Sequence, residues 1–240
     1  MKIHVIYEDK NFLAINKPAG LLVHHAKTSK VNDAGSEEAT VADWLIENYP
    51  DIKKVGDDPE YRPGIVHRLD KDTSGVLLAA KNQECFEYLK TLFQSHKVKK
   101  IYNALVYGKL EERRGIITKP ISIKKGSLKR TVHAGKMTKE AITEYKLIKE
   151  YRKDGHIFSF VEVIPRTGRT HQIRIHMSAI RHPIVGDSLY GPKSNPLSLH
   201  RQFLHARSIE LNTMDGMALK LEAELPEDLE NILRLFQKKS

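Results

Sequence analysis

His67-Arg68-Leu69-Asp70-Lys71-Asp72-Thr73-Ser74-Gly75 is a polar run set between two apolar ones, Gly64-Ile65-Val66 and Val76 to Ala80. The second of these reads as a buried strand, so the polar run is the loop that enters it. Asp70 has Arg68 and Lys71 beside it in sequence, and nearby cations favour the ionised carboxylate. A carboxylate kept ionised suits a nucleophile or general base rather than an acid that donates at neutral pH. On composition alone, an Asp that caps a turn or pairs with a surface Arg explains the residue at least as well.

Outward from this loop the chain alternates short strands with short helices. Val5 to Tyr7, Phe12 to Asn16 and Leu21 to His24 read as strands, broken by Asp9-Lys10-Asn11 and Lys17-Pro18-Ala19-Gly20. Ala26 to Ala39 is polar without periodicity and reads as a loop. Thr40 N-caps a helix carrying Val41, Trp44, Leu45 and Tyr49. Asp51 to Pro63 is a polar connection with an Asp-Asp-Pro turn. Asn82 caps a helix whose Cys85, Phe86, Leu89, Leu92 and Phe93 share a face. Lys99 to Lys109 alternates as a strand, and strands near Ala141 to Ile148 and His156 to Ile164 flank a turn at Lys153-Asp154-Gly155. A helix is predicted over Arg169 to Arg181 with Ile173, Met177 and Ile180 buried. Strands near Arg207 to Leu211 and Met217 to Ala223 precede a helix opened by Pro226-Glu227-Asp228. Strands often follow one another directly, which favours a mixed α/β (α+β) fold with a largely antiparallel or mixed central sheet. With no repeat and no Pro/Gly/Ser linker, residues 1–240 are expected to form a single domain.

The charge distribution points to a polyanionic partner. The 240 residues carry a net charge of +10, with a pI near 9.5. Arg113 to Lys139 contains nine Lys or Arg residues, Lys124, Lys125, Lys129 and Arg130 among them, and no acid. Arg166 to His182 adds Arg166, Arg169, Arg174, Arg181 and three histidines, again without an acid. Two such segments favour phosphate-backbone binding over a merely solvated basic face. No apolar stretch approaches the roughly 20 residues needed to span a bilayer, and no secretory h-region opens the chain. Cys85 is the only cysteine, so no intrachain disulfide forms, and a cytoplasmic location is expected; its simplest reading is a small apolar side chain on a helix.

Several chemistries lack a foothold. His67 with Asp70 and Asp72 is a loose set of metal donors, and His171 and His176 are five apart, not the four that puts two ligands on one helical face. No phosphate loop and no Gly-x-Gly-x-x-Gly are present, so no nucleotide cofactor is expected. Gly-x-Ser-x-Gly is missing as well.

The chain resembles the RluA-type pseudouridine synthases. His67-Arg68-Leu69-Asp70 with Thr73-Ser74-Gly75 is similar to their central signature. Glu8-Asp9, Ile15-Asn16-Lys17-Pro18-Ala19-Gly20-Leu21 and Val23-His24 resemble the opening motif. Lys100-Ile101-Tyr102-Asn103-Ala104-Leu105-Val106 with Gly108 resembles the strand that carries an active-site tyrosine. Thr167-Gly168-Arg169-Thr170-His171-Gln172-Ile173-Arg174-Ile175-His176 resembles the segment that supplies the arginine paired with the catalytic aspartate. His182-Pro183-Ile184-Val185-Gly186-Asp187, Tyr190-Gly191 and Phe203-Leu204-His205-Ala206 complete an ordered series from Glu8 to Ala206.

The resemblance implies the pseudouridine synthase fold and an isomerase that converts uridine to pseudouridine in ribosomal or transfer RNA, without a cofactor. Asp70 would attack the target nucleotide, by covalent addition or by taking a sugar proton. Tyr102 would pack on the base and help remove the C5 proton. Arg174 would pair with Asp70 and keep it ionised. His67, Arg68, Arg169 and Ile173 would serve the bound nucleotide, and Lys124, Lys125, Lys129 and Arg130 the RNA backbone. A monomer is expected. Relatives commonly carry an S4-like domain ahead of the catalytic part, and none is expected in this chain. They also place Gly before His-Pro-Ile, where this chain has Arg181, so the local turn is a point to check. Two rival readings are a non-catalytic RNA-binding protein of the same fold and a glycosidase. The latter usually needs two carboxylates, and Asp72 and Asp187 read instead as turn or structural residues.

Overall fold

The computed structural model describes residues 3–25, 38–124, 129–133 and 135–237. The chain divides into two compact units, Met1–Val98 with Ser208–Ala223, and Lys99–Arg207 with Glu224–Ser240.

In the first unit, β1 (His4–Glu8) and β2 (Phe12–Lys17) pair as an antiparallel hairpin. Asp9 closes its turn, accepting the amides of Asn11 and Phe12 on Oδ1 at 2.7 and 2.8 Å. Leu21 to His24 does not form the third strand that its composition predicts, and Leu22 makes only an isolated bridge to Thr40. The carbonyls of Leu22 and Val23 are instead taken by the amides of Val41 and Ala42. Those amides open a helix and have no partner within it. Residues 26–37, most of the predicted Ala26 to Ala39 loop, lie outside the described residues.

Helix α1 (Val41–Asn48) starts on a capping box. Thr40 Oγ1 accepts the Asp43 amide, and the Asp43 carboxylate accepts the Thr40 amide, an arrangement worth about 1 kcal/mol. A 3-10 turn over Pro50–Lys54 follows. β3 (Ser74–Ala80) is buried throughout and pairs antiparallel with β2, from Lys17 opposite Gly75 to Phe12 opposite Ala80. Asn82 caps α2 (Gln83–Gln94) by accepting the Cys85 amide at 2.9 Å. The helix lays Cys85, Phe86, Leu89 and Leu92 against β3. Burial pushes the Cys85 thiol up to about 12.

The second unit opens with β4 (Lys99–Tyr107). The basic stretch after it holds four short strands: β5 (Arg114–Ile117), β6 (Ile121–Ile123), β7 (Arg130–Thr131) and β8 (Lys136–Lys139). β9 (Thr143–Lys153) and β10 (His156–Pro165) form the predicted hairpin. Its two turn residues, Asp154 and Gly155, have φ of 49° and 77°, the backbone twist that hairpins favour. Here β4, β10, β9 and β5 lie side by side in antiparallel order, while β7, β6 and β8 form a separate small sheet.

Helix α3 (Gln172–Ala179) is shorter than the predicted Arg169 to Arg181. The Gln172 side chain explains its start: Oε1 accepts the Arg169 amide and the Thr167 hydroxyl, and Nε2 donates to the Ile142 carbonyl. These bonds fix residues 167–171 as a turn. The helix ends before Arg181, whose φ is 67°; the left-handed turn that Gly would make without strain is kept by an arginine. From there His182 to Asp187 runs beside β4, with Tyr107 N donating to Pro183 O at 3.0 Å and Val185 N to Leu105 O at 2.9 Å.

β11 (Leu204–Asn212) contributes Ser208 to Asn212 to the first unit, where they pair antiparallel with β12 (Ala218–Glu222). Helix α4 (Glu227–Arg234) returns to the second unit and buries Leu229 and Ile232. They join Leu105, Phe158, Val161, Val163, Ile173 and Met177 in its core. Among the described residues the fold is mixed α/β with four α-helices, as expected. Among the described residues no helix is long and apolar enough to cross a membrane.

Candidate active site

In the first unit the Asp70 loop is a tight turn, with Thr73 N donating to Asp70 O at 3.1 Å. Leu69, Thr73 and Ser74 are buried, Asp70 is half-buried and Arg68 is exposed. The loop therefore rests on apolar and hydroxyl anchors while Asp70 stays within reach of solvent. His67 is its upstream anchor. Its Nε2 accepts the Leu78 amide at 2.9 Å and its ring stacks on Phe93 at 4.5 Å. Accepting through Nε2 requires that nitrogen to be unprotonated, which places the proton of a neutral ring on Nδ1.

Lys17, in the stretch that resembles the opening motif, is fully buried at the end of β2. Its Nζ donates to the carbonyls of Leu21, Pro18 and Lys71 at 2.7, 2.8 and 2.9 Å. Three N–H donors meet three carbonyls, the match that a buried ammonium needs. One of the three, Lys71 O, belongs to the Asp70 loop.

In the second unit Tyr102 is half-buried on β4, opposite Val163 of β10 and against the core. Arg174 is buried on α3 and makes a bidentate pair with Asp187, Nε to Oδ2 at 2.7 Å and Nη2 to Oδ1 at 2.9 Å. Asp187 Oδ1 also accepts the amides of Leu189 and Tyr190 at 2.9 and 3.0 Å. Burial would raise the Asp187 pKa, but the Arg174 guanidinium and the two amides outweigh it and hold the carboxyl below its ordinary value. Tyr190 lies over Arg174, ring centre to Cζ at 5.3 Å. Ile173 is buried in the core.

The two basic segments fold differently. In Arg166 to His182 the arginines find acceptors from elsewhere in the chain: Arg166 pairs with Glu144, Arg169 donates to Glu140 O, and Arg174 pairs with Asp187. Arg181 is exposed. In Arg113 to Lys139 the cations largely face solvent. Lys124, Lys129, Lys136 and Lys139 are exposed around the small sheet. Arg130 is half-buried, and its Nε is buried without a hydrogen-bond acceptor among the described residues. Lys125 lies outside the described residues. Among the described residues no group of three His, Cys, Asp or Glu side chains is placed to hold a metal ion.

The family model described as RNA pseudouridylate synthase matches residues 11–179, a span that holds the Asp70 loop, Tyr102 and Arg174. The chain belongs to the RNA pseudouridylate synthase family. Its activity class is accordingly that of an isomerase, an RNA pseudouridine synthase. The ribosomal large subunit pseudouridine synthase D of Pseudomonas aeruginosa is 36% identical over 99% of this chain and 72% of its own length. The protein of that name from Borreliella burgdorferi is 35% identical over 98% of this chain and 69% of its own length. Among solved structures, the human RNA Pseudouridylate Synthase Domain Containing 4 superposes with a TM-score of 0.74 at 25% identity, covering 98% of this chain and 93% of that one. The human RNA Pseudouridylate Synthase Domain Containing 1 shares the fold, with a TM-score of 0.73 over 99% and 96% of the two chains.

Lys17 and Tyr190 carry structural tasks that the residue types did not announce. Lys17 sits beside Pro18 in what reads as a solvated turn, and only the strand register reveals that it points inward. Asp187 reads as a turn residue, which it is through Leu189 and Tyr190. Its bond to Arg174 follows from a packing of α3 that no local pattern encodes.

Proposed function

We propose that this chain isomerises specific uridines of structured RNA, with large-subunit ribosomal RNA as its substrate and Asp70 as its catalytic carboxylate. The supporting observation is the similarity, over nearly the whole of this chain, to relatives named for the ribosomal large subunit, together with an Asp70 loop tied down by a buried lysine. The reaction is redox-neutral: the bond from N1 to the ribose breaks, one from C5 to the ribose forms, the C5 proton leaves to water, and N1 gains a proton. It needs one well-placed carboxylate, a stacking surface and exclusion of water. Asp70 acts by covalent addition or by removing a sugar proton, Tyr102 stacks on the base and assists loss of the C5 proton, and Arg174 orients Asp70. His67, Arg68, Arg169 and Ile173 serve the extruded nucleotide. Lys124, Lys125, Lys129 and Arg130 bind phosphate.

Tritium release from RNA tritiated at uridine C5 tests this reading. The purified protein is expected to release tritium from large-subunit ribosomal RNA, and Asp70→Asn to abolish release while binding RNA as before. Wild-type turnover by Asp70→Asn would remove Asp70 from the role. Release from transfer RNA but not from ribosomal RNA would replace the substrate.

A further inference from the structure

A guanidinium at the end of a flexible side chain points one way only when it is gripped, and Arg174 is gripped on two faces. Asp187 takes its Nε and Nη2 edge in the bidentate pair, which fixes the guanidinium plane. The Tyr190 ring covers Cζ at 5.3 Å. Tyr190 is held in turn, its carbonyl accepting from Ser178 Oγ at 3.0 Å and its hydroxyl lying 3.0 Å from His171 Nδ1.

His171 is the unusual member of this set. It is the N-cap of α3, yet its φ is 55° and its side chain makes no capping hydrogen bond. An N-cap is ordinarily extended and gives its side chain to the first-turn amides. A non-glycine residue in the left-handed region is strained, and such strain persists where the surroundings over-determine it, often at functional sites. His171 carries both disadvantages, and its ring goes to Tyr190 in an edge-to-face contact at 73°.

We propose that His171 and Tyr190, together with Asp187, hold the Arg174 guanidinium in a single orientation, and that His171 is a positioning residue for the isomerisation. This rests on the role given to Arg174 above. His171 acts through Tyr190, so the link should break in the same way from either end.

Tyr190→Phe keeps the ring over Arg174 and removes only the hydroxyl, and His171→Gly relieves the backbone strain and removes the ring. Each is expected to lower the single-turnover rate by about ten- to a hundredfold, the cost of a slightly misplaced catalytic group, with RNA affinity and KM unchanged. Because both cut one link, the double variant should lose no more than either single one. A purely structural role would instead lower stability additively and leave the rate of the folded fraction intact. The Arg174 Nε–H resonance in nitrogen-15 NMR gives the clamp its own readout, sharp and slowly exchanging in the wild type and broadened in both variants. An unchanged resonance in both would overturn the clamp. A broadened resonance with wild-type rates, or losses that multiply in the double variant, would overturn the positioning role. Wild-type turnover by Arg174→Lys would point elsewhere, to an error in the role assigned to Arg174, while the resonance still decides the clamp.

Discussion

The ammonium nitrogen of Lys17 lies 2.9 Å from the carbonyl oxygen of Lys71, one residue past Asp70. The two residues are 54 positions apart in sequence, and the bond fastens the Asp70 loop to the end of β2. A fully buried charge is costly unless hydrogen bonds replace its hydration, and the carbonyls of Leu21, Pro18 and Lys71 supply that replacement. The same bonds therefore stabilise the fold and set the backbone that carries Asp70.

Lys17→Met is expected to destabilise the protein by about 3 kcal/mol, since it leaves buried carbonyls without donors. Urea denaturation should show a lower midpoint with an unchanged slope. The variant's folded fraction should also release tritium more slowly. A midpoint within error of wild type would mean that the carbonyls find water instead.

Asp187→Ala strands a buried guanidinium and is expected to cost about 3–5 kcal/mol. The sign with pH follows from the lowered Asp187 pKa. Its contribution is complete above the ordinary carboxylate value of 3.8 and is lost as pH falls through the lower folded value. Wild type and variant should therefore differ by a constant amount from pH 8 to about pH 5 and converge only in stronger acid.

Arg181→Gly should stabilise the protein by about 1 kcal/mol, because φ at this exposed position is 67° and glycine adopts that conformation without the left-handed penalty. A rise of about 2–4 °C in Tm is the corresponding change for a chain of this size. A fall in Tm would show that the Arg181 side chain makes a stabilising contact that outweighs the strain.

His176 links stability to pH near neutrality. It is fully buried between Thr143 Oγ1 at 2.9 Å and Lys119 O at 2.8 Å, and burial lowers its pKa below the ordinary 6.5. Below pH 6.5 the unfolded chain takes up a proton that the folded chain refuses, so stability falls as pH drops toward the folded value. Comparing urea midpoints of wild type and His176→Gln between pH 7.5 and 5 should show a steeper loss in the wild type, approaching about 1.4 kcal/mol per pH unit for one proton. Parallel slopes would refute the linkage.

Local chemistry explains which parts of the fold are readable from residues alone. Thr40 with Asp43 and Asn82 before Cys85 satisfy orphan helix amides within a few residues, so α1 and α2 are visible in the chain. Asp154-Gly155 encodes its hairpin in the same local way. Leu21 to His24 has the composition of a strand, but the amides of α1 claim its carbonyls. The strands β5 to β8 hide in a basic stretch because each is only two to four residues long, and every residue of β8 is exposed, so no alternation marks an inner face there. Asp70 is recognisable only through a family resemblance, since nothing in its own turn separates a catalyst from a surface aspartate. Lys17 and Tyr190 owe their roles to register and packing between distant segments, which residue spacing does not record.

Cys85 faces the core of the first unit from α2, 1% exposed, with a thiol pushed up to about 12. Thiolate is the reactive form of cysteine, so the folded protein is expected to resist alkylating and disulfide-exchange reagents. A single cysteine introduced on the surface becomes the sole attachment point for a crosslinker or fluorophore, without removing the natural one. In the unaltered protein, the rate at which Cys85 is labelled counts openings of the first unit.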